Sequence, residues 1–165
     1  MRTVRILLPR AQDTHSLGVA LARSLHPGDV LVLSGDLGAG KTTFTQGLGE
    51  GLGVRGPVTS PTFVIARTYP PRLPAGLALI HVDAYRLAGA LELDDLDLDA
   101  EVAQSVTVVE WGSGLADRLS EERLGVTLTV DAATEARTAV LSLHLDPARA
   151  DEVAATVLGL GGEPC

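Results

Sequence analysis

A single α/β domain on a partly parallel sheet is what this sequence predicts, and three observations predict it. An apolar run, Val30-Leu31-Val32-Leu33, enters a glycine loop and then residues at helical spacing, Phe44, Leu48 and Leu52. The order is therefore buried strand, loop, helix. Two more apolar runs each close on a carboxylate, Leu77 to Val82 before Asp83 and Val106 to Val109 before Glu110. Open α/β sheets bind ligands at such strand ends. Third, the chain has 165 residues, 45% of them hydrophobic, with no repeat or linker, which suits one compact core.

In chain order, Val4 to Leu8 reads as an opening strand. Asp13 or Thr14 is placed to cap a helix whose apolar face is Leu17, Leu21 and Leu25, ending before Pro27-Gly28. Asp29 to Leu33 is the first core strand. The helix after the glycine loop is poor by propensity, with Gly47, Gly49 and Gly51 inside it and Gly53 at its end. Either tertiary packing holds it or its second half is loose. Gly56 to Phe63 reads as turn and extended loop, Val64 to Tyr69 as a strand, and Pro70 to Pro74 as a proline-rich hairpin. A short helix over Leu115 to Ser120 and strands over Val126 to Val130 and Ala139 to Leu145 come next. Asp146-Pro147 starts a last helix, an N-cap followed by proline in the first turn, which runs to about Leu158. One domain over 1–158 is expected, and the glycine-rich tail 159–165 is expected to be disordered.

The loop Gly35-Asp36-Leu37-Gly38-Ala39-Gly40-Lys41-Thr42-Thr43 fits G-x-x-x-x-G-K-[ST]. Glycines let the backbone N–H groups close on phosphate oxygens, and the helix start adds a favourable dipole. Lys41 would reach the β- and γ-phosphates, and the Thr42 hydroxyl would ligate Mg²⁺. Lys41 is also the only lysine of the chain, at a position where the arginine fork is no substitute for a compact ammonium. Asp83 and Glu110 form a pair beside this loop. Mg²⁺ takes one or two protein carboxylates and keeps several waters, so one acid can serve the metal while the other orients the attacking water. Ser60 and Thr62 read equally as turn hydroxyls or as a switch loop whose threonine senses the γ-phosphate.

Composition narrows the function. A net charge of −8 opposes direct grip on nucleic acid, which needs a basic footprint. Aromatics at 3% supply no stacking platform for single strands. The lone cysteine, Cys165, makes no internal disulfide, and His15, His26, His81 and His144 lack a second ligand at metal spacing, so each reads as a core or surface histidine. Ile6 to Leu8 is too short for a signal-peptide core and no apolar stretch reaches membrane length, so the expected address is the cytoplasm. In Glu92 to Glu101 six of ten residues are acidic. This reads first as a solvated face over a sheet edge and second as a docking surface for a basic partner. The chain has no asparagine, so it cannot supply the N-K-x-D guanine reader of GTPases. ATP hydrolysis or an ATP-controlled switch remains, with a small-molecule kinase as a rival despite scattered arginines.

GDLGAGKTT (Gly35 to Thr43), SPTF (Ser60 to Phe63), HVDAYR (His81 to Arg86) and EW (Glu110-Trp111), in that order and spacing, resemble the TsaE family. This family is the ATPase component of bacterial tRNA threonylcarbamoyladenosine biosynthesis. The likeness covers roughly Ala11 to Arg137. It implies a single-domain P-loop NTPase-like fold, a three-layer sandwich with a mixed, partly parallel sheet. It also implies a Mg²⁺-dependent ATPase, weak alone and stimulated by the transferase complex that modifies adenosine beside the anticodon, with tRNA met only through that complex. Carried over by position, Gly35 to Thr43 hold the nucleotide, with Trp111 and Arg137 near it. Thr42 and Glu110 hold Mg²⁺, Lys41 and Asp83 are catalytic, and Thr62 senses the γ-phosphate. The proline-rich 70–74 segment and the chain beyond Leu145 depart from the pattern.

Overall fold

The computed structural model describes residues 1–61, 66–84, 99–111 and 120–165. Its strands are β1 (Arg2–Leu8), β2 (Val30–Ser34), β3 (Ala66–Tyr69), β4 (Ala78–Asp83), β5 (Ser105–Glu110), β6 (Arg123–Val130), β7 (Arg137–His144) and β8 (Glu163–Pro164). The helices are α1 (Ala11–Leu21), α2 (Lys41–Leu52), α3 (Asp99–Val102) and α4 (Pro147–Gly159). All eight strands form one sheet in the order β3-β4-β5-β2-β6-β7-β1-β8. Strands β4, β5, β2 and β6 run parallel, while β3, β7, β1 and β8 are each antiparallel to their neighbours. The sheet is mixed and partly parallel, in a single α/β domain.

The principal core lies on one face, where Leu17 and Leu21 of α1, Phe44 and Leu48 of α2, and Val153 and Val157 of α4 pack onto the sheet. A smaller cluster of Val30, Ile80, Val82, Val109 and Val102 lies on the other face, under α3. Strand β5 is buried at every position, its polar Ser105, Thr107 and Glu110 included, as in a strand covered on both sides. In β7 and β1 alternate residues are buried, the period of two that leaves one face to solvent.

Packing holds α2. A Cβ on Gly47 would lie 2.0 Å from the His15 carbonyl oxygen, and one on Gly18 of α1 2.3 Å from the Phe44 carbonyl oxygen. The two backbones are in direct contact, which only glycine permits, and this approach offsets the poor helix propensity of the sequence. Of the two readings of this helix, the packed one is correct.

Two local expectations are corrected. Helix α1 begins one turn earlier than expected, with Arg10 at the N-cap. Asp13 sits at the third helical position, where its carboxylate accepts the Arg10 backbone N–H at 2.9 Å and pairs with its guanidinium. Thr14 is buried in the helix. The tail 159–165 is ordered in the structure. Glu163 and Pro164 pair with Arg5 and Val4, and the Cys165 N–H donates to the Thr3 carbonyl. An edge strand supplies backbone acceptors to any nearby chain, and local composition does not report that. The short helix expected over Leu115 to Ser120 and most of the acidic segment lie outside the described residues.

Candidate functional site

The loop between β2 and α2 is shaped by where its glycines pass. A Cβ on Gly35 would meet the Leu128 carbonyl of the adjacent β6 at 2.5 Å, so only glycine clears that strand. Gly40, at φ 105°, is the N-cap of α2 and has no side chain to cap with. The N–H groups at the start of α2 thus have neither an intrahelical acceptor nor a side-chain cap. Helix α4 shows the alternative, since Asp146 there accepts from the N–H groups of Ala148 and Arg149. An uncapped helix start lining a cavity is an anion site, because its N–H groups and dipole converge on one point.

That cavity has a volume of about 570 Å³ and is lined by Leu37, Gly38, Gly40, Lys41, Thr42, Thr43, Ser60, Asp83, Glu110, Trp111 and Arg137. The buried Lys41 ammonium donates to the carbonyls of Gly35 at 2.8 Å and Asp36 at 3.0 Å. It also lies 4.5 Å from the centre of the Trp111 ring, within cation–π range. Trp111 is half-exposed at 41% and has φ 59°, a left-handed conformation that is strained for a bulky residue and is found at functional sites. Leu37, 97% exposed, forms the tip of the loop.

Parallel pairing aligns the two acids. Asp83 and Glu110 are register partners at the ends of β4 and β5, and both are buried side chains that line the cavity. Two carboxylates one strand spacing apart repel each other, which favours a cation beside them. The donor set suits Mg²⁺. The Thr42 hydroxyl and the Glu110 carboxylate are hard oxygens on one cavity. Among the described residues no group of three or more His, Cys, Asp or Glu is arranged to hold a metal, and Mg²⁺ itself needs only one or two protein carboxylates, keeping several waters.

Most residues expected at the site therefore meet there. Arg137 reaches the cavity from the first position of β7 and donates to the Glu135 carbonyl at 3.0 Å. Gly35 and Asp36 contribute carbonyls to Lys41. Ala39 turns inward, its methyl in the core and its N–H donated to the Asp36 carbonyl. Thr62 lies outside the described residues. His81 reads from the sequence as a core or surface histidine, with no role at the site. Its ring is fully buried and its Nε2 lies 2.8 Å from Glu110 Oε1. The signal was its place two residues before Asp83, on the same face of a strand.

Fold and loop together define a single-domain α/β protein of the P-loop class. The chain belongs to the TsaE family, since residues 8–139 match the family model described as threonylcarbamoyl adenosine biosynthesis protein TsaE. It is 63% identical over 109 residues to the tRNA threonylcarbamoyladenosine biosynthesis protein TsaE of Streptomyces coelicolor, covering 66% of this chain and 73% of that one. The protein of that name from Mycobacterium bovis is 54% identical over 127 residues, 73% of this chain and 76% of its own. Among solved structures, the crystal structure of YdiB from Bacillus subtilis superposes with a TM-score of 0.74 at 30% identity, covering 93% of this chain and 95% of that one.

Proposed function

We propose that this chain binds ATP with Mg²⁺ and hydrolyses it in the cytoplasm as a component of tRNA threonylcarbamoyladenosine synthesis, weakly alone and faster when docked on the transferase complex. The observation that carries the reading is the uncapped start of α2 facing a pair of buried carboxylates across one cavity. Family membership supplies the pathway. The net charge of −8 supports contact with tRNA through protein partners, because direct binding would require phosphate-neutralising side chains.

In this reading the N–H groups from Gly38 to Thr43 and the Lys41 ammonium hold the phosphates, and Lys41 stabilises charge as it builds on the β–γ bridging oxygen. Thr42 and Glu110 hold Mg²⁺, which when bound neutralises phosphate charge. Asp83 accepts a hydrogen bond from the attacking water and aligns it with the γ-phosphorus. The water oxygen bonds to phosphorus as the bond to the bridging oxygen breaks, and ADP and inorganic phosphate leave. Thr62 senses the γ-phosphate, while Trp111 and Arg137 wall the nucleotide. Positioning and electrostatics provide the acceleration, since phosphoryl transfer asks little covalent chemistry of the protein.

The test is phosphate release from ATP by the chain alone, then with the transferase complex and tRNA. Stimulation by the complex that disappears in Lys41→Ala is the expected result. Slow release that the complex leaves unchanged would remove the proposed job, and transfer to a metabolite acceptor without free phosphate would make the chain a kinase.

A further inference from the structure

We infer that His81 is a positioning residue that fixes the Glu110 carboxylate for the metal, an inference resting on the reading that Glu110 holds Mg²⁺. The parallel register places His81 opposite Val108 and Asp83 opposite Glu110, so His81 lies one same-face step behind the acid pair. From there its ring reaches sideways to the next strand and meets Glu110 Oε1 at 2.8 Å. A carboxylate only accepts hydrogen bonds, so Nε2 carries the proton and donates.

Two features indicate that this bond serves the site and not the core. The ring is fully buried in a strand whose neighbours Leu79, Ile80 and Val82 are apolar, where an aliphatic side chain would need no partner. Its Nδ1 has no hydrogen-bond partner among the described residues. A buried imidazole with one nitrogen unsatisfied costs stability, and the fold retains it at the one place where it can grip Glu110. The result is a division of the carboxylate. Oε1 is held from behind by His81, and among the described residues Oε2 makes no hydrogen bond, which leaves it for the cavity that Glu110 lines. Carboxylate ligands held this way bind metal more tightly, because the outer partner removes rotamer freedom and orients the oxygen.

The experiment is calorimetric titration of ADP with and without Mg²⁺, on the intact chain and on His81→Leu, His81→Gln, His81→Asn and Glu110→Ala. The Gln amide nitrogen has nearly the reach of Nε2, whereas Asn falls short. The expected pattern is unchanged ADP affinity in EDTA for every histidine variant. Apparent Mg²⁺ affinity should fall about 10–100-fold in His81→Leu and His81→Asn and should be largely restored in His81→Gln. If His81→Leu does not fold, the Gln–Asn pair decides. Equal Mg²⁺ affinity in His81→Gln and His81→Asn would overturn the inference, as would Mg²⁺ dependence lost in Glu110→Ala but intact in His81→Leu. Mg²⁺ dependence kept in Glu110→Ala would overturn both the inference and the metal assignment beneath it, a pattern distinct from the other two.

Discussion

The two halves of the sheet are built on different rules. In β4 and β5 every residue from Leu79 to Asp83 and from Ser105 to Glu110 is buried, whereas β7 and β1 bury alternate residues. The parallel half sends all its strand ends to one edge, so the loop after β2, Asp83 and Glu110 arrive together. The antiparallel half sends alternate ends there. Strand β7 runs opposite to β6, with Arg137 paired to Val130, so its first residue is the one that reaches the site. Direction of pairing, more than residue chemistry, decides which half carries function. The family match, residues 8–139, likewise holds the whole described site and leaves out α4 and β8.

If that division is right, changes in the two halves separate into activity and stability. The largest effect is expected at Lys41. Lys41→Ala should lower phosphate release about a hundredfold or more while melting within a few degrees of the intact chain, since its bonds are to loop carbonyls; turnover assays with a thermal melt check both. Next comes the helix contact behind the site. Gly47→Ala would gain about 1 kcal/mol of helix propensity, but its methyl would press on the His15 carbonyl, which cannot rotate away. Overpacking of this kind costs about 1–3 kcal/mol, so a net loss is expected, seen as a lowered melting temperature. Gly159→Ala at the end of α4 meets nothing within 4 Å and should melt no lower than the intact chain.

Smaller effects belong to the antiparallel half. Asp146→Ala removes the cap of α4 and should cost about 1 kcal/mol, roughly 2–4 °C, with phosphate release at its normal rate. A matching loss of activity would break the comparison. The smallest lies in the β6–β7 turn. There the backbone N–H of Thr134, its hydroxyl and the N–H of Ala133 donate to Asp131 and hold its carboxyl below the usual carboxylate range. A lowered folded pKa contributes stability that is fully present above the unfolded value, about 4, and is lost as pH falls through the folded one. Asp131→Asn should therefore melt slightly lower than the intact chain at pH 7, and the gap should close on acidification.

Much of this was legible from local pattern. The strand–loop–helix order, the acids closing β4 and β5, and the Asp146-Pro147 helix start each depend on neighbours a few residues apart, and each was read correctly. The start of α1 was not, because the Asp13 carboxylate that looked like a cap bonds backward to Arg10. The tail was misread for a related reason, since Glu163 is ordered by a strand more than 150 residues away in the chain.

By itself the sequence determined the phosphate loop, its lone lysine, the two carboxylates and the family, because those depend on residue identity and short spacing. Tertiary structure alone decided that β1 inserts between β7 and β8, that Gly18 and Gly47 let α1 and α2 touch, and that His81 meets Glu110. Each depends on strand register or backbone approach between distant segments, and hydrophobic periodicity shows which face of a segment is buried without saying what lies against it.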